Sequence, residues 1–251
     1  MSFLRSTLFN LCFYVITASM AVLASPFILA DRLWLVRAME LWARTINRLL
    51  PLLVDIRIEI RGREHYRAAM ESGSCIIASK HQSAWDTFVW HNEVEDPAIV
   101  MKKELLSIPF YGWISQRVGM LAVDRKAGAS ALRRLVGQAR ERVASGRPIV
   151  IFPQGTRAPA GAGVEDVPYQ PGTAALYGQL KVPVVPVALN SGLFWRRHSW
   201  LRRPGTIVLE YQPPIPPGLK RREFEARLVE SIESATARLE AEGAGTAVHS
   251  L

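Results

Sequence analysis

The residues most able to do chemistry together are His81 and Asp86, in the run Lys80-His81-Gln82-Ser83-Ala84-Trp85-Asp86. An imidazole is the side chain best matched to taking and returning a proton near neutral pH, and a carboxylate beside it fixes which ring nitrogen carries the hydrogen. Residues five apart on a continuous helix point about 140° apart around its axis. The pair can therefore meet only if His81 lies in a turn and Asp86 in the first turns of the helix that follows. A second reading fits the same letters. Ser83 and Asp86 form an S-x-x-D capping box, which needs nothing more than a helix start. One carboxylate is not expected to serve both partners fully, so spacing alone leaves the two readings open.

Cationic and glycine-bearing segments follow other apolar runs. Phe152-Pro153-Gln154-Gly155-Thr156-Arg157 offers a glycine for close backbone approach, a hydroxyl and a guanidinium with paired donors for phosphate. As a bare pattern it is also an ordinary strand exit. Lys102-Lys103-Glu104-Leu105 and Asp124-Arg125 occupy similar positions. In open α/β sheets ligands gather at the carboxyl ends of the strands, so cations at several strand ends imply an anion pocket.

The elements that must position these groups read as one α/β body. Ile56, Ile58 and Ile60 alternate with charged residues, as in a half-buried strand. Further strands are expected at Cys75–Ala78, Ala98–Met101, Met120–Val123, Ile149–Phe152, Val184–Leu189 and Ile207–Tyr211. Helices are expected at Ser83–Trp90, Ala129–Ala144, Gly172–Gln179 and Arg222–Glu242. The alternation predicts a single α/β domain over residues 54–243 with a mixed, partly parallel sheet flanked by helices, and a disordered tail over 244–251.

Residues 1–53 differ. Ser6 to Ala30 is a stretch of 25 residues without a formal charge, interrupted by Asn10, Thr17, Ser19 and Pro26. It is long enough for the roughly 20 apolar residues that cross a bilayer core. Leu33–Leu50 follows as an amphipathic helix with Arg37, Glu40, Arg44, Asn47 and Arg48 expected along one face. Together they read as membrane-anchoring helices, uncleaved; a cleavable signal ending near Val22-Leu23-Ala24 is the alternative. Arg37, Arg44 and Arg48 after the apolar segment against Arg5 before it orient the body toward the cytoplasm. Lys and Arg number 31 against 22 Asp and Glu, a net +9, which favours anionic partners such as lipid headgroups, phosphorylated substrates or nucleic acid. Cys12 and Cys75 have no companions at metal-ligand spacing, and the five histidines are scattered, so neither a disulfide framework nor a zinc site is expected. The segment Trp195–Arg203 mixes Trp with Arg, as membrane-interface segments do; it could alternatively touch the phosphates of a substrate, and is otherwise a solvated loop.

Taken in order, these blocks resemble the glycerophospholipid acyltransferase family, in particular its bacterial 1-acyl-glycerol-3-phosphate acyltransferases. His81 to Asp86 matches the family's His-x4-Asp. Lys102 to Leu105, Pro109-Phe110, Gly112-Trp113 and Gly119 to Arg125 match its second block. Phe152 to Arg157 matches Phe-Pro-Glu-Gly-Thr-Arg, and Val182 to Val187 an apolar Val-Pro-x-x-Pro-Val run. The blocks span residues 80–192. The resemblance implies transfer of a fatty acyl group from an acyl thioester to the sn-2 hydroxyl of a lysophospholipid acceptor, without metal, cofactor or acyl-enzyme. His81 would act as base and Asp86 would orient it. Lys102, Lys103, Arg125, Gly155, Thr156 and Arg157 would bind substrate. Acyl-CoA or acyl carrier protein would be the donor, and the cytoplasmic face of the inner membrane the location, with no nucleic acid as partner. Gln154 stands where the family carries Glu, so another acceptor, glycerol-3-phosphate or a lyso-aminolipid, is an alternative. A non-enzymatic basic module that docks on membranes would explain the charge but not the ordered blocks.

Overall fold

The computed structural model describes residues 2–124 and 127–248. In chain order the elements are α1 (Ser2–Ala24), α2 (Arg32–Val54), β1 (Ile56–Arg61), α3 (Arg63–Met70), β2 (Ile76–Ser79), α4 (Trp85–Phe88), α5 (Trp90–Glu93), β3 (Ala98–Lys102), α6 (Tyr111–Val118) and β4 (Leu121–Val123). There follow α7 (Gly128–Ala144), β5 (Ile149–Ile151), α8 (Gly172–Leu180), β6 (Val184–Leu189), α9 (Ser191–Phe194), β7 (Gly205–Tyr211) and α10 (Arg221–Val248). The seven strands form one sheet in the order β1-β7-β6-β2-β5-β3-β4. Only the β6–β7 pair is antiparallel. The mixed, partly parallel sheet read from the sequence is the one found.

Side-chain alternation assigns each sheet face to its own helices. Ile77 of β2 and Cys75 just before it, with Val150, Val185 and Val187, pack against α1, α2 and α5 through Phe9, Ile46, Leu50 and Trp90. Ile76 and Ala78, with Ile149, Ile151 and Val184, pack against α7, α8 and α10 through Leu135, Leu176, Phe224 and Ile232. The sheet is thus the middle of three layers. Such strands are buried on both faces and carry the continuous apolar runs that made them visible in the sequence.

Three expectations change. The helix foreseen over Ser83–Trp90 is two single turns, α4 and α5. Asp86 reaches back to the turn before α4, and no side chain caps the helix start at Ala84. On α2, Asn47 does not join the cationic stripe: it turns inward, accepting from Trp85 Nε1 at 2.9 Å and donating to Asn92 Oδ1 at 2.9 Å. A buried indole N–H needs an acceptor, and Asn47 supplies it. The third concerns the tail. α10 continues through residues 244–248, foreseen as disordered, because Gly243 does not stop it. A Cβ at Gly243 would lie 2.8 Å from Leu193 Cδ1 and 3.0 Å from Asn190 Nδ2, so this glycine serves a close approach to α9. Residues 249–251 lie outside the described residues.

Three polar residues of α1, Ser6, Asn10 and Thr17, face the body, whereas Ser19 is exposed. Asn10 donates to the Trp200 carbonyl at 2.8 Å and accepts from Arg202 Nη2 at 2.8 Å. Ser6 Oγ accepts from the Arg202 amide at 2.9 Å, and Thr17 Oγ1 accepts from Trp42 Nε1 at 3.1 Å. Arg202 is buried, its guanidinium 4.5 Å from the centre of the Trp195 ring. The opposite face of α1 is apolar and open, with Leu4, Leu8, Leu11, Val15 and Leu23 all exposed. Phe3–Leu29 is long and apolar enough to cross a membrane, with a mean hydropathy of 2.0 over its most apolar 18 residues, of which 6% are buried.

His91 on α5 is buried, and burial pushes its imidazole down from the ordinary 6.5 to about 4. The unfolded chain therefore binds a proton that the folded chain refuses between these values, so stability falls as pH drops from about 6.5 towards 4. Across that window the loss is roughly 3 kcal/mol at about 1.4 kcal/mol per pH unit. We expect urea midpoints at pH 7 and pH 4.5 to converge when His91 is replaced by Leu, relative to the parent chain.

Candidate active site

Five strands of the sheet, β6, β2, β5, β3 and β4, run parallel to one another and end on the same edge. The turns leaving them bring to that edge, in spatial order, Asn190-Ser191-Gly192, Lys80-His81, Phe152 to Arg157, Lys102-Lys103 and Asp124. Segments scattered over more than 100 residues of sequence thus become neighbours through topology alone.

His81 sits in the turn after β2, and its Nδ1 lies 3.1 Å from Asp86 Oδ2. The carboxylate is fully buried, whereas His81 keeps 9% of its surface exposed. Asp86 Oδ2 also accepts from the backbone amides of Gln82 at 2.6 Å and Ser83 at 2.7 Å. Oδ1 accepts from Ser83 Oγ at 2.8 Å and Ser191 Oγ at 2.6 Å. One carboxylate therefore serves both the turn and the imidazole, contrary to the sequence expectation. It can because each carboxylate oxygen accepts more than one hydrogen bond, and Ser83 donates to it instead of capping the helix. An ionised carboxylate only accepts, so the His81 contact is a hydrogen bond with the proton on Nδ1, leaving the Nε2 lone pair outward. Among the described residues Nε2 has no hydrogen-bond partner. The Phe152 ring stacks on the imidazole, centroids 4.3 Å apart, and fixes its plane. The amide of Ala158 donates to the His81 carbonyl at 2.8 Å, drawing the chain just after Arg157 onto the same turn.

Of the other residues singled out in the sequence, Gly155 takes φ +65°, and its amide closes a turn on the Phe152 carbonyl at 2.8 Å. Thr156 and Arg157 are half-buried beside it. Burial, and then the neighbouring Arg197, lower the Arg157 guanidinium, while Asp86 pulls it the other way. A partly desolvated cation flanked by a second cation is a strong place for a doubly charged anion. Lys102 and Lys103 are exposed at the end of β3, and Lys103 pairs with Asp124 at 3.3 Å. They stand two strand positions from His81, about 10 Å away at the usual strand spacing. Arg125 lies outside the described residues. Gln154 is buried to 3% exposure, and neither amide atom has a hydrogen-bond partner.

Ser191 escaped the sequence reading. It is 105 positions from Asp86, and only its place at the exit of an apolar strand hinted at a role. Because Asp86 is surrounded by donors alone, Asp86→Asn would set amide hydrogens against N–H or O–H groups. We expect that substitution to cost about 2–4 kcal/mol in urea denaturation, and Ser191→Ala about 1 kcal/mol.

A family model for the acyltransferases matches residues 57–190, from β1 to the exit of β6. The chain is 36% identical over 174 residues to a 1-acyl-sn-glycerol-3-phosphate acyltransferase of Pseudomonas aeruginosa, a match covering 69% of this chain and 65% of that one. It is 29% identical over 183 residues to an enzyme of the same name from Limnanthes alba, covering 72% and 62%. The chain thus spans slightly less than two thirds of the length of these relatives. Among solved structures, the 1-acyl-sn-glycerophosphate (LPA) acyltransferase of Thermotoga maritima superposes with a TM-score of 0.76 at 23% identity, over 96% of this chain and 98% of that one, a likeness of fold. The match from β1 to β6 takes in the His81–Asp86 turn and the Phe152–Arg157 turn, and by it the chain belongs to the acyltransferase family.

Proposed function

We propose that this protein transfers a fatty acyl group from an acyl thioester to the sn-2 hydroxyl of 1-acyl-glycerol-3-phosphate, giving phosphatidic acid. The observation that carries the reading is the His81–Asp86 hydrogen bond at the strand-end edge, with Nε2 of His81 left to accept a proton. In this reading Nε2 takes the proton of the acceptor hydroxyl as its oxygen attacks the thioester carbonyl, and returns it to the departing thiolate. Asp86 holds the Nδ1–H tautomer and stabilises the imidazolium while it exists. Arg157, with Lys102, Lys103 and Arg125, binds phosphate, and Gly155 and Thr156 line its pocket. No step in this scheme calls for a metal or cofactor. Acyl-CoA and acyl carrier protein are the candidate donors, and both are anionic, in keeping with the net +9.

The names of the relatives support lysophosphatidic acid as acceptor, and Gln154 is the observation favouring a second reading. A neutral amide in place of Glu alters the donor and acceptor pattern within the Phe152–Arg157 turn, and an acceptor such as glycerol-3-phosphate or a lyso-aminolipid is the alternative. A panel of acceptors with labelled acyl thioester decides between them. We expect lysophosphatidic acid to turn over fastest, and His81→Ala to lower kcat by at least about 10²-fold while vesicle binding is retained. Acyl transfer by neither parent nor variant with any acceptor would leave only the membrane-docking reading, and equal transfer by the two would remove His81 as the base.

The enzyme would work on the cytoplasmic face of the inner membrane. The open face of α1 supports a seat in the acyl layer of one leaflet, since the polar face of that helix is bonded to the body through Arg202 and Trp200. Arg37, Arg44 and Arg48 of α2 are exposed and suit anionic headgroups. Fully burying a leucine side chain contributes about 1.5–3 kcal/mol, so Leu8→Glu with Leu11→Glu should cut partition onto vesicles of anionic phospholipid by more than about tenfold. Unchanged flotation would exclude this seat.

A further inference from the structure

The two neighbours of His81 in sequence are both held by the same helix. The amide of Lys80 makes the last rung of β2, donating to the Val187 carbonyl at 2.9 Å, so its side chain follows Ile76 and Ala78 onto the α10 face. There the ammonium, with a fully buried side chain, meets Glu233 Oε2 at 2.6 Å and the Ala162 carbonyl at 3.1 Å. Gln82, 1% exposed, donates through Nε2 to Glu240 Oε1 at 2.5 Å, and its Oε1 accepts from the Gly192 amide at 3.0 Å. The approach at Gly192 is close, since a Cβ there would lie 3.0 Å from Gln82 Cβ.

Glu233 and Glu240 are seven residues apart, two helical turns, and so point the same way. Each also holds the loop that continues from Arg157. Glu233 Oε1 accepts from Tyr169 Oη at 2.7 Å, and Glu240 Oε2 accepts from the Gly161 amide at 2.9 Å. Neither carboxylate touches His81 or Arg157. Both tie the turn that carries the one to the loop that carries the other.

We propose that Glu233 and Glu240 are positioning residues, a carboxylate clamp on α10 that sets His81 at a fixed distance from the anion site headed by Arg157. The inference rests on the acyl-transfer reading, in which proton acceptor and phosphate holder must act on one substrate molecule. A base that is about 1 Å out of place costs on the order of 10²-fold in rate while the groups themselves remain present. A carboxylate is the natural pin here because it accepts from two donors at once, one on each segment.

The test inverts one hydrogen bond. Glu240→Gln turns an NH2 group towards either the Gln82 amide or the Gly161 N–H, and Gln82→Glu sets two carboxylates against each other. The double variant Gln82→Glu/Glu240→Gln satisfies every partner again: Glu at 82 accepts from the Gly192 amide and from the new amide, whose oxygen accepts from Gly161. We expect each single variant to lose about tenfold or more in kcat, with KM for the acyl thioester within about twofold of the parent, and the double variant to recover most of the loss. A merely structural contact would lower the melting temperature and leave kcat of the folded enzyme intact. That outcome, or a double variant no better than the worse single one, overturns the clamp. If Gln82→Glu does not fold, Glu233→Gln assayed well below its melting temperature answers the same question, and an unchanged kcat there is equally decisive. His81→Ala in the same assay keeps the two readings apart. A dead His81→Ala beside a fully active Glu240→Gln sinks only the clamp, whereas an active His81→Ala removes His81 as the base, on which the clamp rests.

Discussion

Everything at the strand-end edge is arranged around one buried carboxylate. Asp86 has no contact with water and is surrounded by hydrogen-bond donors from three directions: the backbone of its own turn, the Ser83 hydroxyl, and Ser191 at the exit of a different strand. A buried anion is tolerable only when so satisfied. The fold must therefore deliver a tight turn after β2 and the end of β6 to the same point. Parallel pairing of β2 with β6 does this, placing Ser79 opposite Val187. The imidazole is the one donor of the set whose far side faces outward.

This dependence explains why the site was partly legible beforehand. His81 and Asp86 are five residues apart and belong to one turn, so local pattern could pair them, though not tell a cap from a catalytic pair. The structure removes the opposition, since cap-like amides and imidazole share the same oxygen. Arg157 and Lys102 were legible because each follows an apolar run that reads as a strand. Ser191, Glu233 and Glu240 were not. Their partners lie 105, 153 and 158 positions away, and only the sheet order and the lie of α10 bring them close. A lone serine or a glutamate on an amphipathic helix carries no local mark of that.

The fold shows the same division. The buried strands were visible as apolar runs with boundaries good to one or two residues, because burial on both faces leaves little choice of residue. The short elements were missed. α6 begins at Tyr111 after Phe110, which takes φ +62°. Gly112 lets it approach the Leu106 carbonyl, where a Cβ would stand 2.0 Å away. Such a helix is set by tertiary contact and not by periodicity. The start of α4 at Trp85 in place of Ser83 has a similar source, since Asp86 holds the Gln82 and Ser83 amides and the Ser83 hydroxyl in the turn before it.

The polar face of α1 has a consequence for the order in which the chain is completed. Asn10 and Arg202 are separated by 192 positions, and the Trp200 carbonyl is almost as distant. At roughly 5–20 residues per second of synthesis, α1 waits on the order of 10–40 seconds for the groups that satisfy it. During that interval it is an apolar helix with a polar seam open to water or headgroups, not yet held by a finished domain. The arrival of residues 200–202 closes the seam, so a segment made well before the body is among the last to reach its final state.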